Sequence, residues 1–345
     1  MPGKSRSVPE SNCFRIIQTG RSKKLSIPEY QYSLEDCDVP EVRRAALGEY
    51  RTFRRKCLEY MRGTADTSVM NQVHELAWHT AVFRTLNEAR RLEPERLVNG
   101  ALWELTTAGY AALMSLGIRK LVDDDSRTDS LWNVVALVER RPELLTREKF
   151  VCYDGLPYDY EAVYRDHITS LDIRNGGAVG WLPTSGPKAW AMSEMLHKAF
   201  DKLSSASATK RRREDKIPPS VLTAVKEGLS HPAIKKVCTL ANRQIAHAQR
   251  FSESSNPIPT TTYNDIDQAL QQIVRVANFL STSFFYDAAF GSVVPTPQFD
   301  VLEALDQSWI TTKNIPTLHK YWGELSDSID AWGHGASEGF LPKVQ

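Results

Sequence analysis

Asn242, Arg243 and His247, with Lys236 and Arg250 close by in the chain, are side chains whose types and spacing suit phosphodiester chemistry. Arg243 and His247 are four residues apart, so on a helix they are neighbours on one surface. An imidazole among fixed cations on a rigid element can hold and cleave a phosphodiester. The same residues also make an ordinary solvated helix face, and a surface histidine is more often that. The apolar residues of this stretch, Ile234, Val237, Ala241, Ile245 and Ala248, recur at steps of three and four. That spacing predicts a helix over residues 231–250 with one face in a core.

Other groupings are weaker. His74-Glu75-Leu-Ala-Trp-His79 resembles a zinc-protease motif, but its histidines are five apart and point roughly 140° from each other on a helix. Arg119 and Asp123, at i and i+4, form either a local ion pair or a support for the catalytic helix. Lys210-Arg211-Arg212-Arg213 closes a Ser/Ala-rich stretch, 204–217, that reads as a basic linker. Such a run is usually a solvated loop; its functional reading is a hook for a polyanion. No glycine-rich phosphate loop follows a strand, and no Ser or Cys has a nucleophile context. Neither a metal nor a cofactor is implied.

Helix signals supply the frame. Asp38 and Pro40 open one helix, with Val42, Ala46, Tyr50, Phe53 and Cys57 on a face. A second starts near Asp66 or Thr67 and ends in Arg90-Arg91, which suits the negative end of a helix dipole. The third, from Asn99 to about Val122, is apolar nearly all round, which predicts a helix buried on most sides at the centre of a bundle. Asp123-Asp124-Asp125 belongs to a loop, and Ser130 caps the helix after it. Residues 150–186 break the pattern and read as an irregular insertion of helical or hairpin pieces. Helices follow from about Lys188 to Leu203 and from Pro218-Pro219 to about Leu229. Thr262-Tyr-Asn-Asp265 reads as a capping box for a long helix carrying Ile266, Ala269, Leu270, Ile273, Ala277 and Leu280. One more helix is predicted near Pro316 to Ala331. The expected fold class is all-α: a polar arm over 1–37, a helical domain over 38–290 and an extension over 291–345.

Bulk properties narrow the function. Lys plus Arg number 43 and Asp plus Glu 42, a net charge of +1, so any nucleic-acid site must be a local patch. The five cysteines are scattered and predict reduced thiols in a cytoplasmic protein. The first residues lack the apolar core of a secretory signal, and 101–118 is too polar to span a bilayer comfortably, so no membrane partner is expected.

Three stretches together resemble the HEPN superfamily, and more narrowly the abortive-infection HEPN group of bacterial phage-defence proteins. Arg119-Lys-Leu-Val-Asp123 followed by Ser130-Leu131 is similar to that group's Arg-x-Leu-x-Asp and Ser/Asn-Leu pattern. Asn242-Arg-Gln-Ile-Ala-His247 is similar to its Arg-Asn/Asp-x-x-Ile-Ala-His signature. Thr262-Tyr-Asn-Asp265 and the helix after it look like its closing helix. The signature arginine, five or six residues before the histidine, is missing: positions 241 and 242 are Ala and Asn. The resemblance implies an up-down helical bundle that forms a homodimer and cleaves RNA without metal. His247 would be the general acid or base, since an imidazole titrates near neutral pH. Asn242 would bind phosphate or orient the ring, and Arg243 would stabilise developing charge. Lys236, Arg250, Arg211 and Arg212 would hold RNA, with Arg119 and Asp123 as supports. An antitoxin or a phage-derived trigger is a further partner in this reading. A fold that has lost catalysis but still binds RNA or protein, and a purely structural helical protein, are the alternatives.

Overall fold

The computed structural model describes residues 29–330, apart from 64–66, 96–98, 171, 175–176, 180–181, 247–259, 288–290, 304 and 308–310. It is all-α except for one small hairpin. The helices are α1 (Arg44–Arg62), α2 (Val69–Leu92), α3 (Gly100–Leu121), α4 (Leu131–Glu139), α5 (Arg147–Cys152), α6 (Tyr160–Ser170), α7 (Trp190–Ser204), α8 (Pro219–Leu229), α9 (Pro232–Leu240), α10 (Tyr263–Asn278) and α11 (Ile315–Asp330). β1 (Asp172–Arg174) pairs antiparallel with β2 (Gly177–Val179), with Ile173 opposite Ala178. The irregular insertion thus resolves into two short helices and a hairpin. The chain divides into two compact units, Met1–Thr296 and Pro297–Gln345. No described helix is long and apolar enough to cross a membrane.

The first unit is built around α2, α3, α9 and α10, which pack on one another. Each contributes residues that recur every three or four positions: Val73 and Leu76 from α2, Met114, Ile118 and Leu121 from α3, Ile234 and Val237 from α9, and Ile266, Ile273 and Ala277 from α10. The α2–α3 approach is close because residue 117 is glycine. A Cβ there would lie 2.5 Å from Leu76 Cδ2. Helix starts follow the local signals. Ser130 Oγ accepts from Asn133 N and caps α4, while Thr262 and Asp265 form the capping box of α10.

Two expectations are corrected. α3 is not buried on most sides: Leu102, Leu105 and Leu113 are 37%, 70% and 41% exposed. Only the stripe through Tyr110, Met114, Ser115, Ile118 and Leu121 enters the core. Residues 204–217 are not a free linker either. Arg147 N donates to Asp215 O, Glu148 N donates to Arg213 O, and Thr146 forms a bridge with Lys216. Backbone bonding therefore straps the segment along α5. The end of the N-terminal arm is likewise engaged, since Gln31 N and Tyr32 N donate to Asp154 Oδ1 and Cys37 is buried.

A fully buried cation organises this side of the unit. Arg147 donates from Nε to Asp215 Oδ2 at 2.9 Å and from Nη1 to Asp201 Oδ1 at 2.7 Å, and its guanidinium lies 4.8 Å from the Phe200 ring centroid. His197, 2% exposed, is an immediate neighbour. Its Nε2 lies 3.0 Å from the Tyr158 carbonyl, which makes Nε2 the donor and leaves Nδ1 without a partner. Burial lowers its pKa from 6.5 to about 4, against the bond to the Tyr158 carbonyl, which raises it; the Arg147 and Arg211 charges add to the lowering and Asp201 opposes it slightly.

The sign of the resulting pH effect follows from proton counting. Between pH 6.5 and 4 the unfolded chain binds a proton at His197 that the folded chain does not. Stability is therefore undiminished above that window and falls as pH drops through it, by on the order of 3 kcal/mol. Denaturant unfolding at pH 7.5 and 4.5 should show this loss, and His197→Gln, which can keep the bond to the Tyr158 carbonyl, should remove most of it. Equal acid sensitivity in the variant would refute the assignment.

Candidate functional site

α9 positions the predicted site. His231 caps it, its Nδ1 accepting from Ala233 N at 3.2 Å, and Pro232 occupies the first turn. The buried residues Ala233, Ile234 and Val237 fix its inner face. The predicted helix over 231–250 does not run on as an α-helix. At Ala241–Ile245 it widens into a π turn, with Ala246 N donating to Ala241 O at 2.7 Å. π turns are uncommon and recur at functional sites, because they change the azimuth of every side chain beyond them.

The π turn sorts the candidate residues. Ala241 is fully buried, Asn242 is exposed, and Arg243 is partly buried and already engaged in an interaction. His247 and Arg250 lie outside the described residues. Lys236 is on the same helix, but its Nζ is 2.7 Å from Asp265 Oδ2. That carboxylate also accepts from Thr262 N and Thr262 Oγ1, and with Lys236 as the largest cause its pKa falls to about 2. Lys236 thus ties α9 to the first turn of α10.

Arg119 and Asp123 do reach α9. α3 packs on α9 and on the π turn. Burial raises the Cys238 thiol to about 11, with the Arg119 charge opposing and the Asp123 charge adding to that shift. Among the described contacts the two do not pair with each other. Asp123 instead accepts from Asp125 N at 3.0 Å and, through its carbonyl, from Ser130 Oγ, so it shapes the turn into α4.

The basic run divides by position. Arg211 is committed internally, with Nη2 2.6 Å from Asp201 Oδ2 and Nη1 donating to Tyr160 Oη at 2.9 Å. Arg213 is held by Glu148 and Asp38. Arg212 is exposed. Arg211's charge thus already answers a carboxylate in the fold. His74 and His79 take up no metal geometry: His74 Nδ1 is 2.9 Å from the Val293 carbonyl, and His79 Nδ1 is buried without a partner.

A residue the sequence offered no reason to single out is Arg147. Nothing in Thr146-Arg147-Glu148 marks a buried cation. The only signal would have been acids at 201 and 215, which no local pattern connects to it.

Comparison with family models decides the affiliation. The AbiU2 HEPN model matches residues 66–307, more than half of the chain. The chain belongs to the AbiU2 family of HEPN domains. The matched region runs from the start of α2 past α10 and so includes α3, α9 and the π turn. This places the protein in the abortive-infection group of HEPN domains. Comparisons with curated proteins and with solved structures return no match.

Proposed function

We propose that this AbiU2-family protein is a metal-independent RNA endonuclease of phage defence, or a toxin, that acts as a homodimer. The observation that carries the reading is the π turn ending α9, which sets Asn242 and Arg243 at the edge of the core directly before His247. In this reading His247 exchanges protons with the 2′-OH and the leaving oxygen. Arg243 stabilises charge on the phosphoryl oxygens, and Asn242 binds a non-bridging oxygen or orients the ring. The need for a 2′-OH restricts cleavage to RNA. Arg212 and Arg250 contact neighbouring phosphates. Lys236 does so only in competition with Asp265, and Arg119 and Asp123 support α9 from α3.

The exposed side of α3 supports the dimer. Leu102, Leu105 and Leu113 form an apolar stripe beside Ala108, Gly109 and Ala112, small residues that let a second helix approach closely. Leu105→Glu should convert a dimer to a monomer, read by light scattering, with cleavage lost alongside it. Because Leu105 is exposed, the fold should be retained. An unchanged mass would remove this face from the proposal.

A second reading has its own observation. Position 241, one of the two where the family arginine would stand, is a fully buried alanine. A chain without the family arginine could be a HEPN module that binds RNA, or a protein such as an antitoxin or a phage-derived trigger, without cutting. Incubation with total RNA in EDTA separates the two. Cleavage supports the nuclease. Binding without cleavage, weakening steeply as salt rises, supports the module. Neither outcome leaves a structural protein.

A further inference from the structure

The second compact unit, Pro297–Gln345, contains α11, which the RNA reading does not use and which lies beyond the family match. Ile315, Leu318, Trp322, Leu325 and Ile329 follow one another at steps of three, four, three and four. That is the heptad seam of a helix that packs along another helix. All five are exposed, Trp322 at 72% and Leu318 at 48%. A helix of 16 residues is marginal in water without such packing.

We propose that α11 pairs antiparallel with α11 of a second copy of this chain. The seam reads Ile-Leu-Trp-Leu-Ile from either end, so a two-fold axis across its middle brings like layers together, as an isologous interface requires. Across that axis Ile315 meets Ile329, Leu318 meets Leu325 and Trp322 meets Trp322 of the other copy. The positions flanking the seam, His319, Tyr321, Ser326 and Ser328, carry no fixed charge that would repel a second copy or select a charged stranger. Lys320 precedes Glu324 and Asp327, so antiparallel pairing also aligns ends of opposite sign, a weak bias that salt screens. The helix dipoles favour the same direction.

A helix of this length spans about 24 Å. Two of them bury less than the roughly 1,200–2,000 Å² of a stable interface, so the contact is weak and concentration-dependent. It is independent of RNA cleavage and of the α3 stripe, and the test keeps them apart. The full chain carrying Leu105→Glu is sedimented over a range of concentrations, with and without Leu318→Glu and Leu325→Glu. The α11 residues are exposed, so these substitutions leave the fold intact. The average mass should rise with concentration in the first case, and the association should weaken at least tenfold in the second. Direction is read with a bifunctional thiol reagent on Ile315→Cys and Ile329→Cys chains, against the chain without added cysteines. Mixed chains should cross-link more than either variant alone. A mass that ignores the α11 substitutions assigns the seam to another protein or to the chain's own surface, and overturns the proposal. So does cross-linking confined to identical positions.

Discussion

His247→Ala should lower the rate of RNA cleavage by about 10²–10⁴-fold, the usual contribution of a positioned proton-transfer group. The folded protein and its RNA affinity should stay close to the parent, because alanine removes the imidazole and leaves the neighbouring cations. Single-turnover cleavage of a labelled RNA in EDTA measures the loss, and thermal unfolding checks the fold. Arg243 provides the companion test. Its replacement by Gln should cost about 10²-fold or more in rate, because charge stabilisation at a developing oxyanion is lost. Lys at 243 should restore only part of this, since it supplies a point charge and not a planar fork. If His247→Ala cuts as fast as the parent, the nuclease reading fails outright and the binding module takes its place.

The second large effect is on stability. Arg147→Met should destabilise the protein by about 3–5 kcal/mol. The guanidinium is fully buried and satisfies Asp201 and Asp215 at once, so its removal leaves a partly buried Asp215 without an ion-pair partner among the described residues and Asp201 with Arg211 alone. Melting should move down by roughly 10 °C, given the few degrees per kcal/mol usual for a domain of this size. Arg147→Lys should recover little, because one ammonium cannot bridge both acids in the same plane. Adding Asp215→Asn to Arg147→Met should return part of the loss, since Asp215 is the carboxylate left without an ion-pair partner. The Arg211 strap bonds the same Asp201, so proteolysis within 204–217 should quicken in Arg147→Met. A melting temperature within 2–3 °C of the parent, a shift worth only about 1 kcal/mol, would show that this ion network contributes little.

Much of the frame was legible because short-range rules set it. Ser130 and the Thr262–Asp265 box announce helix starts, and these are bonds between residues three apart, which a linear reading can find. The inward faces of α9 and α10 follow from three- and four-residue spacing. The same rules misjudged α3, for an identifiable reason. A helix apolar on every side looks buried on every side, yet nothing in its own residues says how many neighbours arrive. Three helices cover part of it, and Leu105 is left 70% exposed.

Local chemistry along the chain was thus enough to define an all-helical protein and most of its helix boundaries, and to single out the Asn242-Arg243-His247 stretch as the candidate site. Which charges remain for a ligand was a matter of packing across long separations. Lys236 meets Asp265, Arg211 meets Asp201 and Arg147 meets Asp215 at distances of 2.6–2.9 Å, joining residues ten to sixty-eight positions apart. No periodicity encodes such pairs, because each depends on where whole helices lie. The π turn belongs with them: it is a change of hydrogen-bond register under Ala241, and α-helical spacing carries no trace of it.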